Sequence, residues 1–182
     1  MPPGPSLQGR LKGATPDWRD TLARPPPGVP PAAPSVLIIA GAALVRRHPS
    51  SLRFPMHTLT LLHSTHPTWQ RVLELIRELP DFNKGCRVAK LFSRHIKPEE
   101  QAQSLAEGPV CIAVGTPARI DKLLAMGALS LSRLRLLVLD VSRDAKLRCL
   151  LDIPETRRDT WQLWRGHLAA RFTAGATRVT LL

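Results

Sequence analysis

The stretch Val110-Cys111-Ile112-Ala113-Val114-Gly115-Thr116-Pro117-Ala118-Arg119-Ile120 decides how this chain folds. Its first five residues are apolar and uninterrupted, the pattern of a strand buried on both faces. Thr116 stands where a helix N-cap belongs, and Pro117 fills the first turn, where its missing N–H is no loss. Ile120, Leu123 and Leu124 then share one face, and Gly127 ends the helix. Strand, tight connection and helix make one βα unit.

The same unit recurs on either side. Ser35-Val36-Leu37-Ile38-Ile39-Ala40-Gly41 reads as a buried strand, and Val72, Leu75, Ile76 and Leu79 mark one face of a helix over 71–79. Arg87 to Phe92 is a second strand, followed by a helix opened by Pro98, Glu99 and Glu100 and stopped by Gly108. Beyond the central unit, Arg135 to Asp140 is a strand. Asp152-Ile153-Pro154-Glu155 reads as a capping box on a helix running through Trp161 and Trp164, and Arg178 to Leu182 as a last strand. The alternation predicts a three-layer α/β domain: a parallel sheet with right-handed crossovers and helices on both faces.

Two segments fall outside that rhythm. Residues 1–35 hold ten of the eighteen prolines and read as a disordered or polyproline leader, with the domain running from 36 to 182. The leader lacks the apolar core of a secretory signal. Arg10, Lys12, Arg19 and Arg24 suit a transit peptide better, but Asp17, Asp20 and the prolines argue against one. Residues 46–70 show no clear period and read as an irregular loop or an inserted segment, as from alternative splicing. His48, His57, His63 and His66 lie there. His63 and His66 are three apart, but Pro67 disfavours helix at that point, and no Cys or carboxylate is near, so no metal site is expected.

The chain has 26 Lys and Arg against 14 Asp and Glu, a net charge of +12, which favours an anionic partner and first of all nucleic acid. Five of the twelve units belong to residues 1–70. No apolar run reaches the ~18 residues of a membrane-spanning helix. Three cysteines cannot make a disulfide framework, and Cys86, Cys111 and Cys149, all in apolar settings, read as reduced core residues.

Catalytic motifs are missing. The sequence contains no G-x-x-x-x-G-K-[ST], no G-x-G-x-x-G after a strand and no G-x-S-x-G. No nucleotide cofactor and no catalytic residue are therefore expected. What remains is positional. The helix start at Thr116, with Pro117 and with Arg119 in the same turn, suits a nucleic-acid phosphate. The plainer alternative is an ordinary capped helix whose Arg is solvated, and spacing alone favours it. Asp140 closes an apolar strand at the end of the sheet where sites form, and an acid there can hold Mg²⁺ through water. Val141 follows and cannot polarise a water, so Asp140 reads better as a strand-end cap. Trp161 and Trp164 are three apart, and their spacing favours core packing over base stacking.

The block from Val110 to Asp140 resembles the first RecA-like domain of DEAD-box RNA helicases. Thr116, Pro117 and Arg119 match the family's RNA-backbone motif, with Ala118 in place of Gly. Asp140 matches the first acid of its hydrolytic motif, while Val141, Ser142 and Arg143 replace the rest. With Val36–Leu44, Val88–Lys97 and Lys146–Arg157, the chain is more similar still to the Cms1-like family of small-subunit ribosome assembly factors, a degenerate offshoot of that fold. The resemblance implies a RecA-like domain without its phosphate loop, RNA contact through Thr116, Pro117 and Arg119, and no ATPase. It also implies a nucleolar or nuclear setting, with pre-rRNA and small-subunit pre-ribosome proteins as partners. Two alternatives stand beside it: a fragment of an active helicase, and a poorly folded splice variant.

Overall fold

A computed structural model of the chain describes residues 6–20, 27–41, 69–82, 86–92, 96–144 and 147–182. Five strands form one sheet: β1 (Val36–Ala40), β2 (Arg87–Leu91), β3 (Val110–Gly115), β4 (Leu136–Asp140) and β5 (Arg178–Leu181). Their order is β2-β3-β1-β4-β5, and every neighbouring pair is parallel. The helices are α1 (Leu7–Ala14), α2 (Trp69–Arg77), α3 (Pro98–Ala106), α4 (Pro117–Ala125), α5 (Pro154–Leu163) and α6 (Ala169–Thr173). A π-turn (Trp164–Leu168) joins α5 to α6.

Side chains alternate across a strand, so β1 feeds two cores. Val36, Ile38 and Ala40 pack with Leu7 and Leu11 of α1 and with Val72, Leu75 and Ile76 of α2. Leu37 and Ile39 face the other way, onto Leu105, Ile120, Leu123, Leu163 and Leu168 from α3, α4, α5 and the π-turn. The α/β sheet with helices on both faces is thus as the alternation predicts. β1, buried along its whole length between β3 and β4, explains why its sequence is apolar throughout.

The segment read as a disordered leader differs from that reading. Ser6 Oγ accepts from the Gly9 N–H and starts α1, and Leu7 and Leu11, one turn apart, are fully buried. Gln8 and Lys12 reach Asp81 (2.9 and 2.6 Å), and Arg10 donates to the Leu181 carbonyl at 3.2 Å. Farther on, the Ser35 N–H donates to Cys111 O, and Ser35 O accepts from Arg135, which ties the approach to β1 into the sheet. Local composition missed this because the partners of α1 lie some 70 residues on. Truncating Leu11 to Ala should cost about 2–5 kcal/mol as for other buried leucines, read as a lower urea midpoint with an unchanged slope.

Three further readings change. Cys86 and Cys111 are not reduced core residues: they are joined in a disulfide, because β2 and β3 pair side by side with Arg87 opposite Val110. Cys149 is free. The capping box at 152–155 does not form. Ile153 is the N-cap of α5, and Asp152 Oδ2 instead accepts the Cys149 N–H at 2.8 Å, a bond that holds the Asp152 carboxyl below its ordinary range. Helix α2 begins at Trp69, two residues before the predicted start. The rest of the irregular segment, including His48, His57, His63 and His66, lies outside the described residues.

Candidate functional site at the C-terminal end of the sheet

Sites in open parallel sheets form beyond the carboxyl ends of the strands. There Asp140 ends β4, level with Ala40 of β1. Its side chain is 2% exposed. The continuous apolar run before it puts the carboxylate at the edge of the core, so it must find donors. Arg71, in the first turn of α2, supplies them: Nε donates to Asp140 Oδ2 at 2.6 Å, and Nη2 to Oδ1 at 3.1 Å. The Ser142 N–H and Oγ–H both donate to Oδ1 as well, and Arg71 Nη2 also donates to Ser142 Oγ.

Four donors thus meet the two oxygens of Asp140. A guanidinium fork fits a carboxylate in this two-pronged way, with a charge that does not dissociate. Burial works against the charge on Arg71, but its bonds to Asp140 and the nearby charges of Asp140 and Glu74 outweigh that and hold it above its ordinary value. The cluster is closed. A cation binding Asp140 would first have to displace Arg71. Among the described residues no group of three His, Cys, Asp or Glu could hold a metal ion.

The second sequence-marked site begins one strand away. Thr116 is the N-cap of α4 in extended conformation, but its hydroxyl makes no capping bond. The Thr116 N–H donates to Leu91 O at 2.9 Å, which pins the turn to β2. Pro117 is buried, as its apolar ring at a sheet–helix junction requires. Arg119 does not project into solvent. It is 7% exposed, with Nη1 donating to Gln101 Oε1 (3.3 Å) and Nη2 to Ile96 O (3.0 Å). Burial lowers the pKa of its guanidinium from the ordinary value, with the nearby Glu99 working the other way. Gln101 of α3 in turn donates to Lys90 O of β2. Arg119 is thus a strut between α4, α3 and the segment before α3. The structure brings Thr116 and Pro117 together at one corner and turns Arg119 inward from it.

Sequence reasoning missed Arg71, which sits 69 positions from Asp140 and carries no local mark. It also grouped Trp161 with Trp164. Trp164 stacks on Phe172 (centroids 4.7 Å apart) beside the core, as expected, but Trp161 is 50% exposed. Three residues fall about 60° short of a full helical turn, enough here to carry Trp161 off the buried face.

The domain is a parallel α/β sheet whose strand-end carboxylate, Asp140, is sealed by Arg71. Comparison with known proteins then places it. The chain belongs to the family described as CMS1, U3-containing 90S pre-ribosomal complex subunit, whose model matches residues 55–182. It is 46% identical to human Protein CMSS1 over 94 residues, covering 51% of this chain and 34% of that protein. It is 41% identical to Protein CMSS1 of Danio rerio over 112 residues, covering 61% of this chain and 38% of the relative. With Protein CMS1 of Chaetomium thermophilum it shares 40% over 115 residues, covering 62% and 46%. The chain spans between a third and a half of the length of these curated relatives. No helix among the described residues is long and apolar enough to cross a membrane.

Proposed function

We propose that this chain is a non-catalytic, RNA-binding module of small-subunit ribosome biogenesis, built on a RecA-like fold without a phosphate loop and working in the nucleolus. The observation that carries the reading is Arg71 on Asp140: where an ATPase would need a free carboxylate for its cation, this member of a 90S pre-ribosomal family holds a fixed guanidinium. The absence of G-x-x-x-x-G-K-[ST] from the chain agrees with it. The partners are pre-rRNA and small-subunit pre-ribosome proteins.

RNA phosphate is met at the start of α4, where the Thr116 hydroxyl makes no capping bond. Pro117 shapes that turn. Arg119 holds it in place through Gln101 and Ile96 and so acts as a positioning residue rather than as a direct contact. Crosslinking in cells, read by sequencing, should enrich small-subunit precursor RNA. In the purified chain Thr116→Ala should weaken RNA binding about tenfold, the worth of one hydrogen bond to a charged group. RNA-stimulated ATP hydrolysis by the purified chain would overturn the reading in favour of an active helicase.

A further inference from the structure

The exposed Trp161 is the only aromatic side chain among the large hydrophobics left open to solvent in the described residues. It stands on a stripe with Arg158 three positions before it and Arg165 four after it, the spacing that aligns side chains on one helix face. With Gln162 and Gly166 these residues line a shallow depression of about 630 Å³. Gly166 adds no side chain to that lining, and a Cβ there would meet nothing within 4 Å. The depression lies across the junction of α5 with the π-turn, a local widening of the helix that occurs often at functional sites.

The charges fit the same picture. Arg158 is largely exposed, and its one ion pair among the described residues is with its neighbour Asp159, at 3.5 Å in solvent, a contact of little worth. Arg165 is exposed and makes no ion pair among the described residues. The acid of α4, Asp121, is engaged by Gln162 (2.6 Å) and His167 (3.4 Å). Those bonds also fix α5 against α4, so the stripe sits on a firm base. An open indole between two exposed guanidinium groups is complementary to a planar, apolar ring carried on an anionic backbone.

We infer that Trp161, Arg158 and Arg165 form a docking site for single-stranded RNA, the indole stacking on an unpaired base and the two arginines meeting the flanking phosphates. The inference deepens the RNA-binding reading and rests on it, but it uses a different helix and different residues from Thr116.

The test is fluorescence anisotropy of the full chain with a labelled single-stranded oligouridylate, repeated over a salt series. Trp161→Ala should weaken binding about tenfold, the loss of one base stack. Trp161→Phe, which keeps a stacking face, should recover most of it. Arg158→Ala and Arg165→Ala should each lower the salt slope by about one. Gly166→Leu, which has open space to enter, should block the depression and match Trp161→Ala. Melting temperatures should stay near wild type in all these variants, because the altered side chains are exposed. If Trp161→Ala and Gly166→Leu bind RNA as tightly as wild type, the site is wrong while RNA binding stands. If the wild-type chain does not bind RNA at low salt, both readings fail. If polyglutamate binds with the same dependence on Trp161, the surface serves an acidic protein segment and the inference is overturned.

Discussion

Arg71→Ala should lower the unfolding free energy by about 3–5 kcal/mol, the usual cost of removing one partner from a buried ion pair. The reason is what is left behind. Asp140 keeps the two Ser142 donors but loses both guanidinium bonds, and its 2% exposure denies it water in exchange. A domain of this size is stable by only about 5–15 kcal/mol, so the variant should unfold at a markedly lower urea concentration. Arg71→Lys should recover only part of the loss, since an ammonium is a point charge and cannot span both carboxylate oxygens. Replacing both partners with apolar side chains, Arg71→Met with Asp140→Leu, should come back close to wild type, because no unpaired charge remains buried. A double variant as unstable as Arg71→Ala would show that the cost lies in lost packing of the α2 start rather than in the stranded carboxylate.

Gly115→Ala should be as damaging for a different reason. Gly115 lies at the end of β3 beside Leu91 of β2, and an added Cβ would stand 2.3 Å from Leu91 O and 2.5 Å from Leu91 Cβ. Both neighbours are held by the sheet, so neither can swing away. Overpacking of this kind costs about 3 kcal/mol, at times more. The damage should spread to the site, because the same Leu91 carbonyl accepts the Thr116 N–H that fixes the start of α4. Hydrogen exchange at the Thr116 amide should therefore speed up along with a fall in melting temperature. Gly108→Ala is the matched control: nothing lies within 4 Å of its added carbon, and no change is expected.

These two sites show what a linear reading can and cannot reach. The central strands were legible because a strand buried on both faces must be apolar along its length, as β1 and β3 are and as β4 is up to Asp140. The helices were legible where one apolar face repeats, as in α2 with Val72, Leu75 and Ile76. The order β2-β3-β1-β4-β5 was not, since it is set by which strands pair across crossovers of many residues. The same limit hid the partners of each polar group. Asp140 was marked by its place at a strand end, but its arginine comes from another element. Arg119 read from spacing alone as the solvated side chain of a capped helix, and through the family resemblance as an RNA contact; instead Gln101 and Ile96, from neighbouring segments, hold it. Helix α1 was hidden because two leucines among prolines and glycines carry too little pattern, and only α2 and Asp81 make them a face. Cys86 and Cys111 pair for the same kind of reason: strand adjacency, not sequence distance, brought them together.

The contact between Arg10 and the Leu181 carbonyl spans 171 positions, and those of Gln8 and Lys12 with Asp81 about 70. Loop closure over such distances adds only slowly to the entropy cost. Helix α1 thus ties together elements far apart in the chain: its apolar face lies in one core with α2, its polar side chains reach Asp81, and Arg10 reaches the end of β5. A single short helix near the amino terminus therefore clamps the middle of the chain to its last strand.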